Sequence, residues 1–308
     1  LVGAGHAVSV ALVQDRASVI DTAKWTAFAD AALGSVADCV EWVEVAHAVN
    51  RSKWGIWTLA EHRQLIEATA AVRRKRPNMK FMGPACIDFE YPNLMAMLSN
   101  MPDGFRFDAL SHHLYVDRRG APENRQGRFS AVEKFALGRA IAERTGGCGG
   151  RFIVSEVNWP VAGTGVYSPV GSPYDSPGAR NGDPSVTEEV YADYMIRYLA
   201  LACCSGFVER VYWWRLVARG FGLVDDTHAG HWRERRAYQA LRAFMTGLGS
   251  ATFIEKCDAP DGVYLLMFYV PGMGEVVLAW SNVGATLAKL PFSFGRALNV
   301  AGDEMPGS

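Results

Sequence analysis

Glu156 stands in the run Ser155-Glu-Val-Asn-Trp-Pro160, at the end of an apolar stretch that opens at Phe152. A carboxylate in such a place can act as a nucleophile or move a proton. Comparable groups close the other apolar runs of the chain. They are Gln14, Asp15 and Arg16; His47 and Asn50; Asp88 and Glu90; His112, His113 and Tyr115; Asn158 and Trp159; and Trp213, Trp214 and Arg215. Flat aromatic rings suit the apolar faces of a polyhydroxylated ligand, and amide, imidazole and guanidinium groups suit its hydroxyls. No Gly-rich phosphate loop, Ser nucleophile elbow or HExxH helix is present. Gly163-Thr-Gly165 lies in a loop with no helix to open. His112 and His113 are adjacent, and neighbours on a strand point to opposite faces, so no metal site is expected from them and no cofactor is implied.

These groups need a scaffold that brings strand ends together. Six apolar runs read as strands: Val8–Val13, Val40–Val45, Lys80–Gly83, Phe107–His112, Phe152–Ser155 and Val208–Trp214. Helical patterns separate them. One opens at Asp21 and stops at Gly34; others span Leu59–Arg74, Pro92–Ser99 and Ala131–Arg144. A further helix spans Ser185–Cys204, with Ser185 as cap and Glu188 completing a capping box, and a closing helix spans Arg235–Leu248. The basic run Arg73 to Arg76 reads as a solvated helix end. Strand-helix alternation with strands apolar on both faces argues for a parallel sheet. In such folds functional groups collect at the C-terminal strand ends. After Gly249 the pattern changes to period two: Thr252–Lys256, Gly262–Tyr269, Glu275–Trp280 and Lys289–Phe292. The expected organisation is an α/β domain over 1–249 and a small antiparallel β appendage over 250–308. A polar loop from Val161 to Pro184, carrying Tyr167, Tyr174, Asp175 and Arg180, is expected to overhang the site as a lid or wall. Arg215 and Arg219 could read an acidic sugar or pair with Asp225 or Asp226.

The 308 residues are 49% hydrophobic and 20% charged, with 31 basic against 32 acidic side chains. A net charge of -1 gives no electrostatic reason to expect nucleic acid. No apolar run approaches the roughly 20 residues of a membrane-spanning helix. The six cysteines (Cys39, Cys86, Cys148, Cys203, Cys204 and Cys257) lack metal-site spacing and read as free thiols, which leans towards a reducing, cytoplasmic setting. Residue 1 is Leu, so a lost leader would overturn that. Nothing in the sequence fixes an oligomeric state.

Three segments resemble clan A glycoside hydrolases, the (β/α)₈ TIM-barrel superfamily that includes the family 39 xylosidases and iduronidases and the family 5 cellulases. Ser155-Glu-Val-Asn-Trp-Pro160 resembles the seventh-strand nucleophile motif. Ala109-Leu-Ser-His-His-Leu-Tyr115 resembles the sixth strand, and Arg210-Val-Tyr-Trp-Trp214 the eighth. The resemblance implies a carbohydrate substrate, Glu156 as nucleophile, and a sugar site lined by His47, Asn50, His112, His113, Tyr115, Asn158, Trp159, Trp213 and Trp214. It numbers the six strands three to eight, so the first two would be missing through truncation. It also exposes a departure. The fourth-strand motif usually reads W-E-I-W-N-E-P-N, and here Val43-Glu-Val-Ala-His-Ala-Val-Asn50 puts Ala48 on the acid/base Glu and His47 on the preceding Asn. Glu44, four residues back on an extended strand, would lie about 13 Å deeper than Ala48. Replacement acids are Glu90, Asp88 or His47. The expected function is therefore a glycosidase, of bacterial polysaccharide processing or of plant-wall degradation and retaining in mechanism. The alternatives are a carbohydrate-binding barrel impaired by Ala48, or a lyase or isomerase sharing only the architecture.

Overall fold

A computed structural model describes residues 2–116, 120–166, 185–228, 230–285 and 293–305. Strands and helices alternate: β1 (Val8–Ala11), α1 (Arg16–Ile20), α2 (Thr22–Val36), β2 (Val40–Glu44), α3 (Leu59–Arg74), β3 (Lys80–Met82), β4 (Cys86–Ile87), α4 (Tyr91–Ser99), β5 (Leu110–His113), α5 (Ala131–Arg144), β6 (Phe152–Val157), α6 (Glu188–Cys204) and β7 (Arg210–Trp213). A hairpin of β8 (Val224–His228) and β9 (His231–Glu234) leads into α7 (Arg236–Leu248). An antiparallel sheet of β10 (Thr252–Lys256), β11 (Val263–Val270) and β12 (Gly274–Ser281) follows.

The strands from β1 to β7 are parallel, in the orders β1-β2-β3 and β4-β5-β6-β7. A parallel bridge between Met82 and Ala109, with the Gly83 N–H on the Ala109 carbonyl at 3.1 Å, joins the two ladders into one strand order. The break between β3 and β4 needs Gly83: a Cβ there would lie 2.7 Å from both the Phe107 ring and the Val45 carbonyl. Among the described residues no backbone ladder joins β1 to β7. Side chains span the gap instead. Ser9 Oγ lies 2.8 Å from the Tyr212 hydroxyl, and Arg210 on β7 holds Glu41 on β2 through two bonds of 2.8 and 3.0 Å. Trp42, Met82, Ala109 and Ile153 are buried together against Tyr212 and form a cluster shared by β2, β3, β6 and the segment before β5.

Caps and periodicity set most helices where the sequence puts them. Asp21 accepts from the Ala23 and Lys24 N–H groups and starts α2, which buries Trp25, Ala29 and Leu33 at helical spacing. The Trp25 indole donates to Thr69 of α3 at 2.9 Å, so its polar atom is satisfied inside the core. Gly34 does not stop this helix, which runs on to Val36. The α6 helix is capped two residues later than the capping box predicts. Val186 is bridged to Val161, which holds that backbone extended, and Thr187 caps the helix by accepting from the Val190 N–H. Glu188 instead pairs with Arg233 and Arg235.

The β8–β9 hairpin has no apolar alternation and was invisible to pattern reading. Ion pairs hold it: Asp225 binds Arg233 at 3.3 Å and the buried Arg235 at 3.0 Å. The anticipated partners of Asp225, Arg215 and Arg219, are thus displaced by two arginines from β9 and its end. Leu266 and Phe268 of β11 pack on Ala200 of α6 and on Phe244 and Leu248 of α7. The Trp280 indole donates to Glu123, which also pairs with Arg197 of α6. The anticipated strand Lys289–Phe292 and the loop residues Tyr167, Tyr174, Asp175 and Arg180 lie outside the described residues. All six cysteines are free. Among the described residues no helix is long and apolar enough to cross a membrane.

Candidate active site

The C-terminal end of β2 does not continue as a strand. Ala46 (φ 61°) and Ala48 (φ 44°) adopt the left-handed region, which L-residues other than Gly, Asn and Asp rarely enter. The chain folds back, and His47 Nδ1 comes 3.5 Å from Glu44 Oε1. The depth of about 13 Å expected for Glu44 assumed extended backbone, and these two residues remove that assumption. His113 from β5 reaches the same oxygen with Nε2 at 3.2 Å. The His47 and His113 rings lie 4.6 Å apart, and Trp54 meets His47 edge-on at 4.7 Å. Burial alone would raise the Glu44 carboxyl. The two imidazoles outweigh that and hold it well below the usual carboxylate range. Burial would likewise lower His113, but Glu44, and after it Glu156 and Asp88, raise it above the ordinary imidazole value.

His112 faces the other way, as alternation requires. Its Nε2 lies 2.6 Å from the Asp88 carbonyl, its ring meets Phe152 edge-on, and burial pushes it down to about 4. The two adjacent histidines therefore serve different surroundings. Glu44, His47 and His113 bring three donor atoms within 4.8 Å of one another, a spacing that could also hold a metal ion. The carboxylate–imidazole contacts account for the same convergence.

Asp88 and Glu90 flank a single guanidinium. Arg51 binds Asp88 at 2.8 Å and Glu90 at 2.7 Å, and both carboxylates are about 40% exposed (42% and 40%). Asn50 secures this loop: Oδ1 accepts from the Ile87 N–H, and Nδ2 donates to the Ile87 carbonyl and to Glu90. Its amide is thus engaged by the protein at both ends. Arg51 and Trp54 carried no signal in the sequence, because their partners are distant: Asp88 and Glu90 between β4 and α4, and His47 after β2.

Glu156 owes its direction to a bulge. Val154 pairs with Val211 and Val157 with Trp213, so three steps on β6 oppose two on β7. A bulge re-aims side chains beside it. Glu156 is half-buried and accepts a hydrogen bond from the buried Tyr115 hydroxyl. Among the described residues no Lys or Arg is paired with it. Asn158 donates through Nδ2 to the Trp214 carbonyl and leaves a buried Oδ1 without a partner. Trp213 turns away from the enclosed space. It stacks on the fully buried Trp159 at 5.6 Å and donates to Tyr191 at 2.8 Å. Trp214 shares the inward face of Tyr212, two residues back, and is half-buried against Phe221. Its carbonyl accepts from Asn158, and Arg215 lies over its ring at 5.2 Å. The arrangement offers an oriented, half-buried carboxylate at Glu156 and a second, buried carboxylate at Glu44 bound to imidazoles, with His113 between them electrostatically.

Three solved structures share this fold. A family 39 glycoside hydrolase from Bacteroides cellulosilyticus WH2 superposes with a TM-score of 0.62 at 17% identity, covering 90% of this chain and 56% of its own. A GH39 β-xylosidase from Caulobacter crescentus gives 0.50 at 18%, covering 80% and 53%. A conserved exported protein from Bacteroides fragilis gives 0.54 at 13%, covering 85% and 60%. The fold is one that glycoside hydrolases use. The chain spans a little over half the length of these structures (53% to 60%). No family model matches the sequence, and no curated protein matches it. At such identities the likeness carries the fold alone, and the chemistry rests on the residues above.

Proposed function

We propose that the protein is a retaining glycoside hydrolase acting on an oligo- or polysaccharide, with Glu156 as the nucleophile. The observation that carries this reading is the placement of Glu156. It lies within a bulge and is half-buried, the Tyr115 hydroxyl orients it, and His113 stands within electrostatic reach. In this reading a Glu156 oxygen attacks the anomeric carbon from one face while the leaving oxygen takes a proton from a group on the other. Water then reverses the sequence and frees the carboxylate. Trp214, half-buried, offers an apolar face to the sugar, while His113 and Asn158 are buried and form the polar interior of the site. His112, Trp159 and Trp213 support these groups from behind. The α/β part over 1–249 would hold the site and 250–308 the supporting sheet.

A second reading has one specific observation behind it. By the sequence resemblance Ala48 falls where the acid belongs, so the same site could bind a glycan without cleaving it. Dinitrophenyl glycosides of xylose and glucose, whose leaving group departs without proton assistance, separate the two. Turnover by the protein that is abolished in Glu156→Ala is the expected result. Glycan binding without turnover in either form would sink the hydrolase reading.

A further inference from the structure

His47 is the most constrained residue on the rim. Its N–H donates to Gln14 Oε1 at 3.0 Å, and its carbonyl accepts from Gln14 Nε2 at 2.6 Å. A bridge to Ala85 ties its backbone to the strand between β3 and β4. Trp54 closes one side of the ring and His113 another. The flanking alanines hold left-handed backbone that costs about 1 kcal/mol each or more. Strain of this kind persists only where the surroundings over-determine it, and it clusters at functional positions. The constraint brings Nδ1 to 3.5 Å from Glu44 Oε1, buried and close enough for an ion pair but without a formed hydrogen bond. The side chain keeps 12% of its surface exposed, and with Nδ1 buried that exposure belongs to the rest of the ring. His113, which shares Glu44, is only 2% exposed and cannot present a ring edge to a ligand.

We propose that His47 is the general acid/base of the hydrolase, donating from Nε2, with Glu44 as its positioning residue. The proposal rests on the hydrolase reading and names the proton donor that Ala48 cannot supply. A carboxylate on Nδ1 fixes the tautomer and ring orientation and stabilises the imidazolium. Nε2–H then faces the substrate. As the glycosidic C–O bond breaks and Glu156 bonds to the anomeric carbon, the Nε2 proton passes to the leaving oxygen. In the second half, Nε2 takes a proton from water, the resulting hydroxyl bonds to the anomeric carbon, and Glu156 leaves. Asp88 and Glu90 are less suited, since Arg51 engages both and water reaches both.

The test compares leaving groups on the intact protein. Phenyl glycosides of xylose and glucose need a proton at the departing oxygen, and dinitrophenyl glycosides do not. His47→Gln should lower phenyl glycoside turnover by about 10²–10⁴-fold. The dinitrophenyl glycoside should still be attacked, and azide should raise its turnover by replacing water without a base. Glu44→Gln should show the same pattern more weakly, with dinitrophenyl turnover reporting an intact fold. Parallel loss on both substrates, or no loss on either, would overturn the assignment of His47. The nucleophile reading is separately scored by a 2-fluoro dinitrophenyl glycoside. That reagent should label Glu156 in both the parent and His47→Gln, and failure to label the parent counts against Glu156 and not against His47.

Discussion

Glu44 ends β2 while Asp88 and Glu90 follow β4, and these carboxylates live in different physical worlds. Glu44 is 4% exposed and meets only imidazoles, one of which is raised by the contact. Asp88 and Glu90 are ten times more exposed and share one guanidinium with water around them. The first group is dehydrated, keeps buried polar atoms without protein partners, and is held by strained backbone. The second is a surface ion-pair network that ties two loops. Dehydration makes a charge strong and its loss expensive, whereas solvent makes the same charge cheap. Pairing geometry alone would have ranked the Arg51 network higher. Burial reverses the order and points the chemistry towards Glu44 and His47.

The contrast can be broken at its strong end first. Glu44→Ala should destabilise the protein by about 3 kcal/mol at pH 7 in urea unfolding, because it strands a buried imidazolium, with deprotonation of His113 limiting the loss. A loss under about 1 kcal/mol would put Glu44 in the same class as Asp88. His62 sharpens the comparison from another side. It is as buried as His113 but has no carboxylate; both ring nitrogens are unpartnered, and burial pushes it down to about 4. Below about pH 6.5 the unfolded chain takes up a proton that folded His62 refuses, so stability should fall as pH drops through that window. His62→Leu should remove on the order of 2 kcal/mol of the loss between pH 6.5 and pH 5. An unchanged acid slope in that variant would show that His62 is protonated when folded.

Smaller effects test the backbone and the surface. Ala46→Gly or Ala48→Gly should stabilise by up to about 1 kcal/mol by relieving left-handed strain, less the added freedom of the unfolded chain. Destabilisation of both variants would show that the methyl groups, which are buried, matter more than the strain. Arg51→Ala should change stability by less than about 1 kcal/mol and lose that effect in high salt. A larger, salt-insensitive loss would erase the distinction between the two groups.

Much of the scaffold was legible because its signals are local. Each of the six apolar runs overlaps an observed strand, and α3, α5 and β10 match residue for residue, whereas the short β4 was not anticipated. The candidate nucleophile and the rim histidines were named from strand ends, and the structure does bring Glu156, Tyr115, His113 and His47 to one side of the sheet. The β8–β9 hairpin and the start of α6 were missed because ion pairs and a bridge across 25 residues fix them.

The chain by itself determined which segments are strands and helices and which polar groups end them, because hydrophobic period and capping act over a few residues. Only the tertiary structure decided how those groups face one another. Left-handed turns at Ala46 and Ala48 bring His47 onto Glu44, a bulge directs Glu156, and Arg51 draws in two carboxylates from the next loop. Each depends on where backbone conformation and distant partners agree, and no periodicity in the sequence encodes that agreement.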